Sequence, residues 1–124
     1  MNNILIVAKQ DELVIQEKRR MQIIPYNGIL SVVYDSPYIK INLLNGHLVQ
    51  LLMSLSAISR YLPEYFVLCN RSEIVNLTQE KSFDKTTGIL RLKNEMVFTV
   101  SFRKRENVET VFMSIATLQN AQSI

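Results

Sequence analysis

Side chains able to do chemistry are scarce in most classes here and concentrated in one. The 124-residue chain has one histidine, His47, and one cysteine, Cys69. No His-Glu-x-x-His string, paired-cysteine spacing or glycine-rich phosphate loop accompanies them, so the spacing assembles neither a metal set nor a nucleophile with an adjacent base. The expectation is a protein that is not an enzyme, holds no metal and uses no cofactor or small-molecule substrate. Cys69 sits in an apolar run and reads as a small buried residue rather than a redox sensor. His47 follows a turn signal and reads as exposed.

Cations are the abundant class. The net charge of +3 is unremarkable, but its distribution is uneven. Residues 1–68 hold six basic and five acidic groups, residues 69–105 hold eight and four, and residues 106–124 hold two acidic groups and no basic one. A local basic excess is the footprint of a polyanion binder and equally the composition of a solvated face. Its densest part, Arg103-Lys104-Arg105, stands between Ser101 and an apolar series, Val108, Val111, Phe112, Ile115 and Leu118, at three- and four-residue spacing. That period predicts a helix with Ser101 as its cap and the three cations in its first turn. Cations there oppose the helix macrodipole at ~0.3–1 kcal/mol each when exposed, so helix formation does not call for them. Uncommitted amides with mobile positive charge make a phosphate cradle. The same run also reads as a solvated turn in which Arg105 pairs with Glu109 at helical spacing.

The elements that must position these groups are mostly strands. Leu13-Val14-Ile15 and Met21-Gln22-Ile23-Ile24 flank Glu17-Lys18-Arg19-Arg20, which predicts a hairpin with a polar turn. Ile29 to Val33 is β-branched and suits a buried strand. Tyr38 to Leu43 and His47 to Leu52 are joined by Asn45-Gly46, the dipeptide of a type I′ turn. Alternation in the first of these puts Ile39, Ile41 and Leu43 on one face and Tyr38, Lys40 and Asn42 on the other. A helix follows, with Ser54 as cap, Leu55, Ile58 and Leu62 on one face, and Pro63 as its end. Tyr65 to Leu68, Ile74 to Leu77, Gly88 to Leu92 and Met96 to Val100 predict four more strands. The class is mainly β, with one short central helix and a C-terminal helix.

Two phrases in this order resemble the LytTR domain of bacterial transcription regulators. The first is Ser54-Leu55-Ser56-Ala57-Ile58, then Leu62-Pro63, then Phe66-Val67-Leu68-Cys69-Asn70-Arg71-Ser72-Glu73-Ile74-Val75-Asn76. It is similar to the family's Ser-Leu-x-x-Leu helix, Leu-Pro, and Phe-x-Arg-x-His-Arg-Ser-Tyr-Ile-Val-Asn. The second is Leu92-Lys93-Asn94-Glu95, then Val100-Ser101-Phe102-Arg103-Lys104, against Leu-Lys-Asn-Gly and Val-Ser-Arg-Arg. Departures are Asn70 for histidine, Glu73 for an aromatic, and Glu95 for the turn glycine. A β-carbon at positive φ is costly, so Glu95 leads one to expect a different hairpin geometry.

The resemblance implies an elongated stack of small β-sheets whose loops enter successive major grooves of double-stranded DNA. Its contact positions carry over to Tyr38, Asn70, Arg71 and Arg103, and Lys40, Ser101, Lys104 and Arg105 join them on physical grounds. Arg71 and Arg103 suit guanine edges and Asn70 an adenine, while the lysines and Ser101 suit phosphates. Arg71 reads alternatively as a brace paired with Glu73 or Glu95, and Tyr38 as an edge residue covering apolar neighbours. The expected layout is an N-terminal extension (1–12), the DNA-binding domain (13–113) and a helical tail (114–124), without the receiver domain usual in such regulators. Absence of a basic leader or membrane span predicts a cytoplasmic location, and the last helix and the Ile4 to Val7 run suggest a homodimer on adjacent half-sites. The rival reading is an interaction module that has lost DNA contact and antagonises or assembles with a related regulator.

Overall fold

The computed structural model describes residues 3–122, with side chains described through residue 117. The chain divides into two compact units between Pro63 and Glu64. Both are built of small antiparallel strand sets, so the mainly β class with a short helix and a C-terminal helix is what the structure has.

The first unit opens with β1 (Ile4–Ala8), β2 (Glu12–Glu17) and β3 (Arg20–Pro25), in the order β1-β2-β3. The β2–β3 hairpin is the one expected: Glu17 pairs with Arg20, leaving Lys18-Arg19 as a two-residue turn with Lys18 at φ 57°. Strand β1 is new. Within the N-terminal residues 1–12, Ile4 to Ala8 pair with Glu17 to Leu13 in unbroken register. Its apolar run has no alternation to betray a strand, and pairing with β2 supplies the order that periodicity does not show.

Strands β4 (Ile29–Asp35), β5 (Tyr38–Leu43) and β6 (Leu48–Leu51) pair antiparallel in turn. In β5 the alternation holds: Ile39 and Ile41 are buried, while Lys40 and Asn42 are half-buried on the other face. The β5–β6 loop corrects the expectation. Gly46 has φ 87°, but Asn45 is not at positive φ, which rules out a type I′ turn. The Leu43 N–H donates to the His47 carbonyl (3.0 Å), the Gly46 N–H donates to the Leu43 carbonyl (3.0 Å), and Asn45 Oδ1 accepts from the His47 N–H (2.9 Å). This is a three-residue loop with its third residue left-handed, the alternative that Asn-Gly also serves. Helix α1 (Leu55–Ser59) is capped as expected by Ser54, whose Oγ accepts from the Ala57 N–H at 3.1 Å, and it buries Leu55 and Ile58. It stops before Leu62, which is half-buried outside the helix.

The second unit holds the hairpin β7 (Phe66–Asn70) and β8 (Glu73–Asn76), then a sheet of β9 (Glu80–Asp84), β10 (Ile89–Leu92) and β11 (Val97–Thr99) in the order β11-β10-β9. Strand β9 was not expected, because Glu-Lys-Ser-Phe-Asp has neither alternation nor β-branched residues and becomes a strand only as an edge paired to β10. The β10–β11 loop places Glu95 at a left-handed position. Leu92 N–H to Met96 O and Glu95 N–H to Leu92 O are both 2.9 Å, Asn94 Oδ1 accepts from the Met96 N–H, and Glu95 takes φ 72°. The loop closes on the same bonds as Leu43 to His47, and Glu95 accepts the left-handed conformation, its carboxylate 2.6 Å from Lys81 Nζ.

Helix α2 runs Arg105–Gln122 and is preceded by a single 3-10 turn, Phe102–Lys104. Ser101 lies at the start of that turn without making a side-chain cap bond, so the expected serine cap is not formed and Arg103 and Lys104 fall before the α-helix. Val108 is fully buried, Val111, Phe112 and Ile115 are half-buried, and the side chain of Leu118 lies outside the described residues. Cys69 is buried, and burial, with the nearby Glu73 charge, pushes its thiol up to about 12, which leaves it inert.

Candidate nucleic-acid interface

The Phe66 to Asn76 part of the first phrase and the second phrase meet in the second unit. Strand β7 ends at Asn70, and Arg71-Ser72 form the tight turn into β8. The Ser101 N–H donates to the Cys69 carbonyl (2.9 Å), and Asn70 Nδ2 donates to the Thr99 carbonyl (3.0 Å). Arg71 is therefore one residue from one side of this junction, and Arg103 two residues from the other. One backbone bond and one side-chain bond across the junction hold the two cationic segments together, something no local pattern in either segment could show.

Around the junction the site residues divide by what their side chains already hold. The Arg71 and Arg103 side chains are exposed, and no hydrogen bond or ion pair engages either guanidinium among the described residues. The brace proposed for Arg71 is not made: Glu73 accepts from Asn70 Nδ2 at 2.7 Å and Glu95 is with Lys81. Two desolvatable, planar donor forks are thus left to solvent, the form in which arginine recognises guanine or phosphate. Ser101 is half-buried with its hydroxyl unengaged among the described residues, and Lys104, also half-buried, donates its backbone N–H to the Ser101 carbonyl (2.8 Å).

Asn70 and Arg105 are different. Asn70 was expected to offer its amide to an adenine. Both of its N–H donors are spent on Glu73 and Thr99, and Oδ1 accepts from the Ser72 N–H at 3.0 Å, so it shapes the Arg71 turn instead. Arg105 was expected at a phosphate or paired with Glu109. Its guanidinium donates to three backbone carbonyls, Val100 (3.2 Å), Thr86 (2.8 Å) and Thr87 (3.3 Å), while Glu109 is taken by Lys85 at 3.3 Å. The seat exists because residue 88 is glycine. At φ 77°, a Cβ there would stand 2.6 Å from the Val100 oxygen and 2.7 Å from Arg105 Nε. Arg105 thereby ties the β9–β10 turn to the end of β11, one residue after the 3-10 turn that carries Arg103.

Phe102 was passed over in the sequence. It is 82% exposed, between Ser101 and Arg103, and the Arg105 guanidinium lies 5.4 Å from its ring centroid. The available signal was that Phe102 stands where the resembling phrase has arginine. In the first unit, Tyr38 is partly exposed at the start of β5, and Lys40 Nζ is 2.7 Å from Asp35. Such an exposed pair is worth at most about 1 kcal/mol and can be exchanged for a phosphate contact. Among the described residues no cluster of His, Cys, Asp and Glu could hold a metal ion.

The family model for the LytTr DNA-binding domain matches residues 19–113. Among solved structures, the LytTr DNA-binding domain of a Bacillus cereus protein described as a methyl-accepting/DNA response regulator is similar, at 18% identity and a TM-score of 0.68. The alignment covers 83% of this chain and 97% of that one. No curated protein sequence matches the chain.

Proposed function

Because the chain belongs to the LytTr DNA-binding domain family, we propose that it binds double-stranded DNA in a sequence-specific manner and regulates transcription by inserting loops into the major groove. The carrying observation is the pair of exposed, unengaged guanidiniums of Arg71 and Arg103, on segments joined by the bonds at Cys69, Asn70, Thr99 and Ser101. In this reading they meet guanine O6 and N7, each with ~1–3 kcal/mol of discrimination. Ser101 and Lys104 fix the register on phosphate oxygens, and Tyr38 and Lys40 add contacts from the first unit. Asn70 and Arg105 hold the loops rather than touch the bases. We place the DNA-binding portion at residues 13–113, with 1–12 and 114–124 flanking it, and propose a cytoplasmic regulator that occupies adjacent half-sites as a homodimer. No helix among the described residues is long and apolar enough to cross a membrane.

The test is selection of bound sequences from a random duplex library, followed by titration of the enriched duplex at two salt concentrations. An enriched motif with affinity that falls steeply with salt is the expected result. A library that enriches nothing, with no salt-sensitive binding, overturns the proposal and favours the interaction-module reading.

A further inference from the structure

Phe102 is the least sheltered large apolar side chain among the described residues, at 82% exposed. It is nonetheless held. Its carbonyl accepts the Arg105 N–H, Lys104 closes the same turn on Ser101 at 2.8 Å, and Ser101 is bonded back to Cys69 at 2.9 Å. Beside the ring, 5.4 Å from its centroid, lies the guanidinium of Arg105, pinned by its three carbonyl bonds. A cation so placed over an aromatic face restrains the ring as well as attracting it. The result is an apolar group presented to solvent at a defined place, with Ser101 and Arg103 on either side of it in the chain. A ligand that satisfies all three neighbours must offer an anion, an acceptor edge and an apolar group close together. The major groove does so wherever a thymine lies near a guanine, because the thymine 5-methyl is its exposed apolar feature.

We propose that Phe102 is a specificity-determining contact that reads the 5-methyl group of a thymine in the bound site. This rests on the DNA-binding reading above. The contact adds discrimination without neutralising a phosphate, so it leaves salt dependence unchanged. Its size is that of one buried methyl-scale group, about 3- to 10-fold in affinity.

The experiment uses the full chain and the duplex enriched by the wild type. Each thymine is replaced in turn by deoxyuridine, which removes only the methyl group. At one position the replacement is expected to weaken the wild type about 3- to 10-fold and Phe102→Ala not at all, with equal salt slopes for the two proteins. Phe102→Leu, which keeps an apolar side chain, should retain part of the penalty. Thermal melting of Phe102→Ala matched to wild type shows that the fold is intact. The inference is overturned if no thymine is sensitive, or if the sensitivity persists in Phe102→Ala. A wild type that binds no duplex in a salt-sensitive way defeats the parent reading instead, and this proposal with it.

Discussion

Arg71 and Arg105 are the same residue type in the same unit, yet the structure uses them in opposite ways. Arg71 sits on a two-residue turn with an exposed guanidinium that no described group engages. Arg105 begins a helix and delivers its guanidinium to the carbonyls of Val100, Thr86 and Thr87. A formal charge count treats them alike. The difference teaches that a basic segment contains both the groups that meet a ligand and the groups that hold those in place, and that the hydrogen-bond inventory separates them.

The sharpest way to break the comparison is to remove each class in turn. Arg71→Ala with Arg103→Ala should lower affinity for the selected duplex by about 2–6 kcal/mol, taking ~1–3 for each guanidinium. The melting temperature should barely move, since exposed side chains without partners contribute little to folding. Fluorescence anisotropy beside thermal melting checks both halves, and a large loss of stability would show that these arginines are braces after all.

Gly88→Ala attacks the other class. The added Cβ collides with the Val100 carbonyl and the Arg105 side chain at a backbone φ that favours glycine, which should cost about 2–4 kcal/mol of stability. Arg105→Ala loses charge-assisted bonds to three carbonyls and should cost about 2–3 kcal/mol in chemical denaturation. If either variant melts like the wild type, the brace is not holding the turn.

The contrast extends to carboxylates. Glu95 is exposed, and the bond from Lys81 holds its carboxyl below the usual range. Glu80 has one oxygen without a hydrogen-bond partner among the described residues, and burial pushes it up to about 7 against the pull of its own backbone N–H and of Lys93. A folded-state value above the unfolded 4.5 means that the native state holds the extra proton, so stability is full below pH 4.5 and falls as pH rises through 7. Glu80→Gln should remove that loss, gaining on the order of 1–2 kcal/mol over wild type at pH 8 and little at pH 4, after allowing for solvent screening of a partly exposed group. Equal gains at both pH values would point to packing instead.

The smallest effect concerns two loops rather than two charges. Leu43 to His47 and Leu92 to Met96 close on the same bonds, but the left-handed position is Gly46 in one and Glu95 in the other. Glu95→Gly removes the strain at φ 72° and gives up an exposed ion pair, so the melting temperature should rise by a few degrees. A fall would mean that the Lys81 contact outweighs the backbone strain.

Local chemistry explains what could be read from the chain alone. Strand alternation around Ile39 and Ile41, the Ser54 cap, the period of the last helix and the two family-like phrases each depend on neighbours a few residues apart, and each marked its element. Strands β1 and β9 were missed because only a partner strand makes them ordered. The bonds that Asn70 and Arg105 make within the fold are illegible in the sequence for a similar reason. Their partners stand up to 29 residues away, at carbonyls every residue carries, so no pattern of side chains announces them.

What the sequence determined by itself was the mainly β class, the presence of a cationic, arginine-tipped segment and the family. Only the tertiary structure decided which cations remain available to a polyanion and which are consumed, and only it exposed Phe102. The physical reason is that hydrogen-bond satisfaction is a property of groups brought together by folding. A guanidinium's freedom to bind is whatever the folded backbone around it leaves unclaimed.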